Sequence, residues 1–91
     1  MSEIRIEKNH TLGKSEAHKR VVNMEPKLKE RYGVKLDWRG DEAEVKGTGV
    51  TGKLSVADGR IAIDIKLGLL LRPMAGKIRT ALERQLDQAL A

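Results

Sequence analysis

Residues 34–67 read VKLDWRGDEAEVKGTGVTGKLSVADGRIAIDIKL, and the fold follows from them. Val34, Leu36 and Trp38 alternate with Lys35, Asp37 and Arg39. After Gly40-Asp41, Ala43 and Val45 alternate with Glu42, Glu44 and Lys46. Leu54 and Val56 alternate with Lys53 and Ser55, and Ile61, Ile63, Ile65 and Leu67 alternate with Ala62, Asp64 and Lys66. A period of two puts apolar side chains on one face of a strand and polar ones on the other. The connections are too short for crossover helices, so the strands form an antiparallel meander. Asp58-Gly59 is the strongest hairpin signal, and both residues tolerate the positive φ of a type I′ turn.

Working outward, Ile4 and Ile6 alternate with Arg5 and Glu7, which predicts one more short strand. Asn9 to Gly13 is a turn region. From Lys14, apolar Ala17, Val21, Met24, Leu28 and Tyr32 recur at intervals of three and four, and Gly33 stops the helix. Pro26 lies inside it, lacks an N–H and clashes with the carbonyl of Val22, so a kink or a break into two helices is expected. At the other end Pro73 opens a helix at a position where its missing N–H costs nothing. Met74, Ile78, Leu82, Leu86 and Leu90 then follow at intervals of four, with Ala81 and Ala89 beside them. The stripe of Ile78, Leu82 and Leu86 is expected against Leu36, Trp38, Val45, Leu54, Ile63 and Ile65. The order β-α-β-β-β-β-α predicts an α+β two-layer sandwich, a curved antiparallel sheet with both helices on one face. Residues 1–91 are expected to form a single domain.

Composition narrows the functions. The chain has 91 residues, no cysteine and a formal net charge of +5. Disulfides, thiolate metal sites and thiol catalysis are thereby excluded. The basic residues Lys35, Arg39, Lys46, Lys53, Arg60 and Lys66 are expected on the outward sheet face, shared with Asp37, Glu42, Glu44 and Asp64. A basic nucleic-acid-binding module is one reading of that face; an ordinary solvated face with cross-strand ion pairs is favoured over it. Aromatic residues are only 2% of the chain, too few for the stacking platforms of single-strand binders. The N-terminus has no apolar h-region, and Leu67 to Leu71 falls far short of the roughly 20 residues that span a bilayer. A soluble, cytoplasmic protein is expected.

Several motifs invite chemistry and lack its context. Gly47, Gly49 and Gly52 match G-x-G-x-x-G, but the segment runs into strand-like Leu54-Ser55-Val56 instead of opening a helix. It nearly matches a P-loop, yet Leu54 stands where Ser or Thr should reach magnesium. The glycines are read as relaxing a sheet where it bends or where a helix packs close. His10 and His18 flank a turn with no ligand at useful spacing and are read as surface residues. Asp41 and Asp58 are assigned to turns, Asp37 and Asp64 to the exposed face. No catalytic residue, cofactor site or metal ligand is nominated.

Leu67-Gly68-Leu69-Leu70-Leu71-Arg72-Pro73-Met74 is unusual. Alternation hides Leu67, Leu69 and Leu71, and Leu70 points the other way. Either the strand-to-helix junction covers Leu70, or it belongs to an apolar spot for a partner or hydrophobic surface. Leu69, Leu70, Leu71 and Met74 are the candidate hydrophobic contacts, and Arg72 and Lys77 the candidate contacts to an anionic surface.

The chain resembles the polyhydroxyalkanoic acid system family, small bacterial proteins named for genes near polyester synthesis and granule genes. The resemblance rests on Ile4 to His10 with Leu12-Gly13, Tyr32-Gly33, Trp38 with Gly40-Asp41, Lys46 to Gly52, and above all Leu67 to Ile78. It implies a role around polyhydroxyalkanoate storage and no reaction. A non-enzymatic accessory or binding protein is therefore expected, with the granule surface or a granule-bound protein as partner and a granule-associated cytoplasmic location. The alternative from another class is a lipid or acyl-ligand carrier with a cavity between the sheet and the C-terminal helix.

Overall fold

The structure, a computed structural model, describes residues 4–90. Strands β1 (Ile4–Asn9), β2 (Lys35–Arg39), β3 (Glu42–Gly47), β4 (Val50–Ala57) and β5 (Arg60–Leu67) form one antiparallel sheet. Helix α1 spans Lys14–Tyr32, and a 3-10 turn at Arg72–Met74 leads into α2, Ala75–Leu90. The strand order is β1-β5-β4-β3-β2, so the meander is contiguous and β1 adds to its β5 edge. The element order and the two-layer arrangement are those the sequence predicts.

Alternation decides the layers. Ile4, Ile6, Ala43, Val45, Leu54, Val56, Ile61, Ile63, Ile65 and Leu67 all point inward and are buried. Helix α1 adds Ala17, Val21, Met24 and Leu28, and α2 adds Leu86, which is fully buried. The helices divide the sheet between them: α1 packs over β4 and β2, while α2 packs over β1 and beside α1. This corrects the expected partners of the α2 stripe. Leu86 enters the core, whereas Ile78 and Leu82 are half-buried at its margin. Lys8, on the inward side of β1, bridges to Asp87 at 3.2 Å and Glu83 at 3.9 Å, pinning α2 along that edge.

Pro26 does not break α1, which runs unbroken to Tyr32. Pro26 is exposed, and the buried stripe lies on the other side. The lost hydrogen bond therefore faces water, which can hydrate the Val22 carbonyl. The helix ends at left-handed Gly33, where the Gly33 and Val34 N–H groups return to the carbonyls of Lys29 and Leu28. The Asp58-Gly59 hairpin also differs from expectation: φ is positive at Gly59 (78°) but not at Asp58, so the turn is not type I′. Asp58 keeps a conventional backbone and does other work. Its carboxylate accepts the Lys14 N–H at 2.6 Å, supplying α1 with the cap that Gly13 cannot.

The histidines are structural, and more enclosed than a surface assignment implies. His10 Nδ1 accepts the Leu12 N–H at 3.1 Å, and Nε2 lies 3.1 Å from the Ala57 carbonyl oxygen. A ring protonated at Nε2 serves both. His18 stacks on Trp38 with centroids 4.1 Å apart, and Trp38 Nε1–H donates to the Glu25 carboxylate. Asp41 lies 3.1 Å from Lys14 Nζ and 3.6 Å from His18 Nδ1. The Lys14 hydrogen bond holds the Asp41 carboxyl below its ordinary range. A depressed folded-state pKa stabilises above the unfolded value, about 3.9 for Asp, and is lost as pH falls through the folded value.

Two stability predictions follow from this packing. Leu86→Ala should cost about 2–5 kcal/mol in chemical denaturation, and Leu82→Ala distinctly less because it is only half-buried. Asp41→Asn should make stability less sensitive to acid below about pH 4, read from thermal midpoints of both proteins across that range.

Candidate functional site

The end of the sandwich where α1 stops and α2 begins carries the unusual features. Leu67 pairs with Val50, the first residue of β4, and the β3–β4 connection then turns away through Thr48 and Gly49. With its partner strand gone, β5 ends there. The expected alternation through Leu71 therefore fails after Leu67. Gly68 N–H donates to the Gly49 carbonyl at 2.8 Å, and the Gly68 carbonyl accepts from Leu71 and Arg72 N–H at 3.0 and 3.2 Å. This tight loop pushes Leu69 and Leu70 outward, 78% and 92% exposed. The junction does not cover Leu70, and Leu69 is not hidden.

Leu71 turns back inward. It packs against the core margin and over Gly49, where an added Cβ would lie 3.1 Å from Leu71 Cδ1. Gly49 also has φ of 74°, so both conformation and space call for glycine. At Gly52, a Cβ would meet the Asp64 carbonyl oxygen at 2.1 Å, a backbone contact that cannot yield cheaply. The glycine-rich segment is thus the end of a hairpin, β3 into β4, and it opens no helix. The geometry of a phosphate-binding turn is absent from it.

Behind the exposed leucines lies a cleft of about 270 Å³ between the sheet end, the last turns of α1 and the first turns of α2. Leu28 and Tyr32 of α1, Val45, Val50 and Ile65 of the sheet, and Ile78, Ala81 and Leu82 of α2 line it; Leu71 and Met74 stand at the junction. Val34 and Thr48 complete the wall. The lining is apolar apart from the hydroxyls of Tyr32 and Thr48. Ile78 and Leu82 thus face Val45 and Ile65 across a gap.

Of the candidate contacts, Leu69, Leu70 and Met74 are exposed and Leu71 is half-buried. Arg72 is exposed beside Leu71 in the 3-10 turn. Lys77 is also exposed, but on the side of α2 with Pro73, Thr80 and Arg84, away from the cleft lining. Sequence reasoning missed Tyr32, Thr48 and Ala81 as cleft residues. It also missed that Lys35, Lys46, Thr51 and Lys66 stand in one cross-strand row near this end. The rest of the outer face is interleaved: Asp37, Glu44, Lys53, Asp64 and Arg5 form the next row.

The sequence profile of the polyhydroxyalkanoic acid system protein family matches residues 4–90, nearly the whole chain. The chain belongs to that family. No curated protein and no solved structure matches it. In this family member the Leu67 to Ile78 segment forms the end of β5, the exposed loop, the 3-10 turn and the start of α2. Among the described residues, no helix is long and apolar enough to cross a membrane.

The hairpin at Gly47 to Lys53 yields a direct check. Isothermal titration with ATP and with NAD should give no saturable heat. Micromolar binding abolished by Lys53→Ala would overturn the structural reading of these glycines.

Proposed function

We propose that this protein is a non-enzymatic accessory protein of polyhydroxyalkanoate storage, which attaches to the granule surface, or to a protein on it, through the end bearing Leu69, Leu70 and Met74. The family supplies the setting. The observation that carries the contact is the outward loop, which holds two leucines almost wholly in water where a strand or junction would have hidden them. Lys66, Arg72 and Lys77 flank these residues in sequence, cations suited to a hydrophobic surface carrying anionic groups. Several polar groups of the other end serve the fold: Asp58 caps α1, Asp41 holds Lys14 and His18, and His10 ties the β1–α1 loop to Ala57. The place of action is the granule in the bacterial cytoplasm.

Magnitudes favour a composite contact. Burying one leucine contributes about 1.5–3 kcal/mol, which alone gives millimolar binding at best. Leu69, Leu70 and Met74 together, with about 1 kcal/mol from each cation near an anionic surface, reach a useful range. Leu70→Asp is the test, since its side chain lies outside the core and the fold should persist by circular dichroism. The variant should lose most co-sedimentation with isolated granules. Sedimentation equal to that of the unmodified protein would remove the loop from the interface.

A further inference from the structure

The cleft behind the leucines has its own implication, independent of granule attachment. An apolar recess of about 270 Å³ stands near the lower bound of ligand pockets, roughly 300 Å³. It is too small for a ring system of drug size and has too few donors for a nucleotide. Its walls are branched aliphatic side chains, with hydroxyls at Tyr32 and Thr48 as the polar points. A narrow space of this chemistry fits one unbranched hydrocarbon chain.

The surrounding charge specifies the head group. The sheet cations Lys35, Lys46, Lys53 and Lys66 stand on the outer face, away from the cleft, and Arg79 is paired with Glu83 at 3.0 Å. Arg31 and Arg72, both exposed, adjoin the lining residues Tyr32 and Leu71 in sequence. The two guanidinium groups beside the lining favour an anionic group at that end of the cleft. We propose that the cleft binds one aliphatic chain with an anionic head, an amphiphile of the fatty-acid type, the chain inside and the carboxylate at the Tyr32–Thr48 rim.

The test titrates ¹⁵N-labelled protein with sodium hexanoate, octanoate and decanoate below their micelle concentrations. Saturable amide shifts should centre on Tyr32, Thr48, Val50 and Ala81. Affinity should rise about fourfold per methylene while the chain still lengthens inside the cleft. Nuclear Overhauser contacts from decanoate to the Ile78 and Leu82 methyls should place the chain without recourse to any variant. Ala81→Phe should fill the space and weaken decanoate at least tenfold, whereas Leu70→Asp should leave decanoate affinity unchanged while losing granule sedimentation. The two readings thus fail separately. Absence of saturable shifts at millimolar decanoate, shifts confined to the outer sheet face, or 1-decanol binding as tightly as decanoate would each overturn the proposal. So would sedimentation as a dimer whose partner caps the cleft and keeps decanoate out.

Discussion

An antiparallel sheet with one apolar face persists in water only if that face is covered, and here two helices must cover five strands. The cover is sound at the middle and along β1, where Val21, Leu28 and Leu86 meet the buried isoleucines. It thins at one end. Gly33 stops α1 there, and α2 starts only after a tight loop and a 3-10 turn. The cleft is the space that the helices fail to fill, and its lining is ordinary core chemistry left half-wet.

The polar side of the sheet obeys a different rule. Register places Arg39 opposite Glu42, Glu44 opposite Lys53 and Lys53 opposite Asp64, so opposite charges neighbour one another across much of the face. Such exposed pairs contribute little stability each. Their effect is to neutralise the broad surface, which leaves the net charge to be expressed near the Lys35–Lys46–Lys66 row and the loop that follows β5.

Much of this was legible in the sequence because burial here follows period. Residues 34–67 alternate almost without interruption, and every inward residue of β5 is buried as its pattern requires. The α1 limits at Lys14 and Gly33 were written in apolar spacing and a glycine. What was not legible depended on neighbours distant in sequence. Alternation cannot reveal that β4 begins at Val50, so it carried β5 on to Leu71 and hid Leu69 wrongly. Pro26 looked disruptive because sequence does not say which carbonyl faces water. Asp58 looked like a turn residue, and its bond to Lys14 spans 44 positions. Tyr32 and Ala81 read as ordinary members of helical stripes; only the gap between the helices makes them a wall.

Trp38 has a practical consequence. It is the sole tryptophan, it pairs with Ala43 beside the β2–β3 turn, and it lies against His18 and Glu25 at the end remote from Thr48 and Leu70. Its emission therefore follows the docking of α1 on β2 and reports unfolding well. The same indole is badly placed to sense anything arriving at the leucine loop. Unchanged intrinsic fluorescence on mixing is what this molecule would give whether or not its opposite end had become occupied, so a fluorophore attached near that end is the proper optical probe of contact.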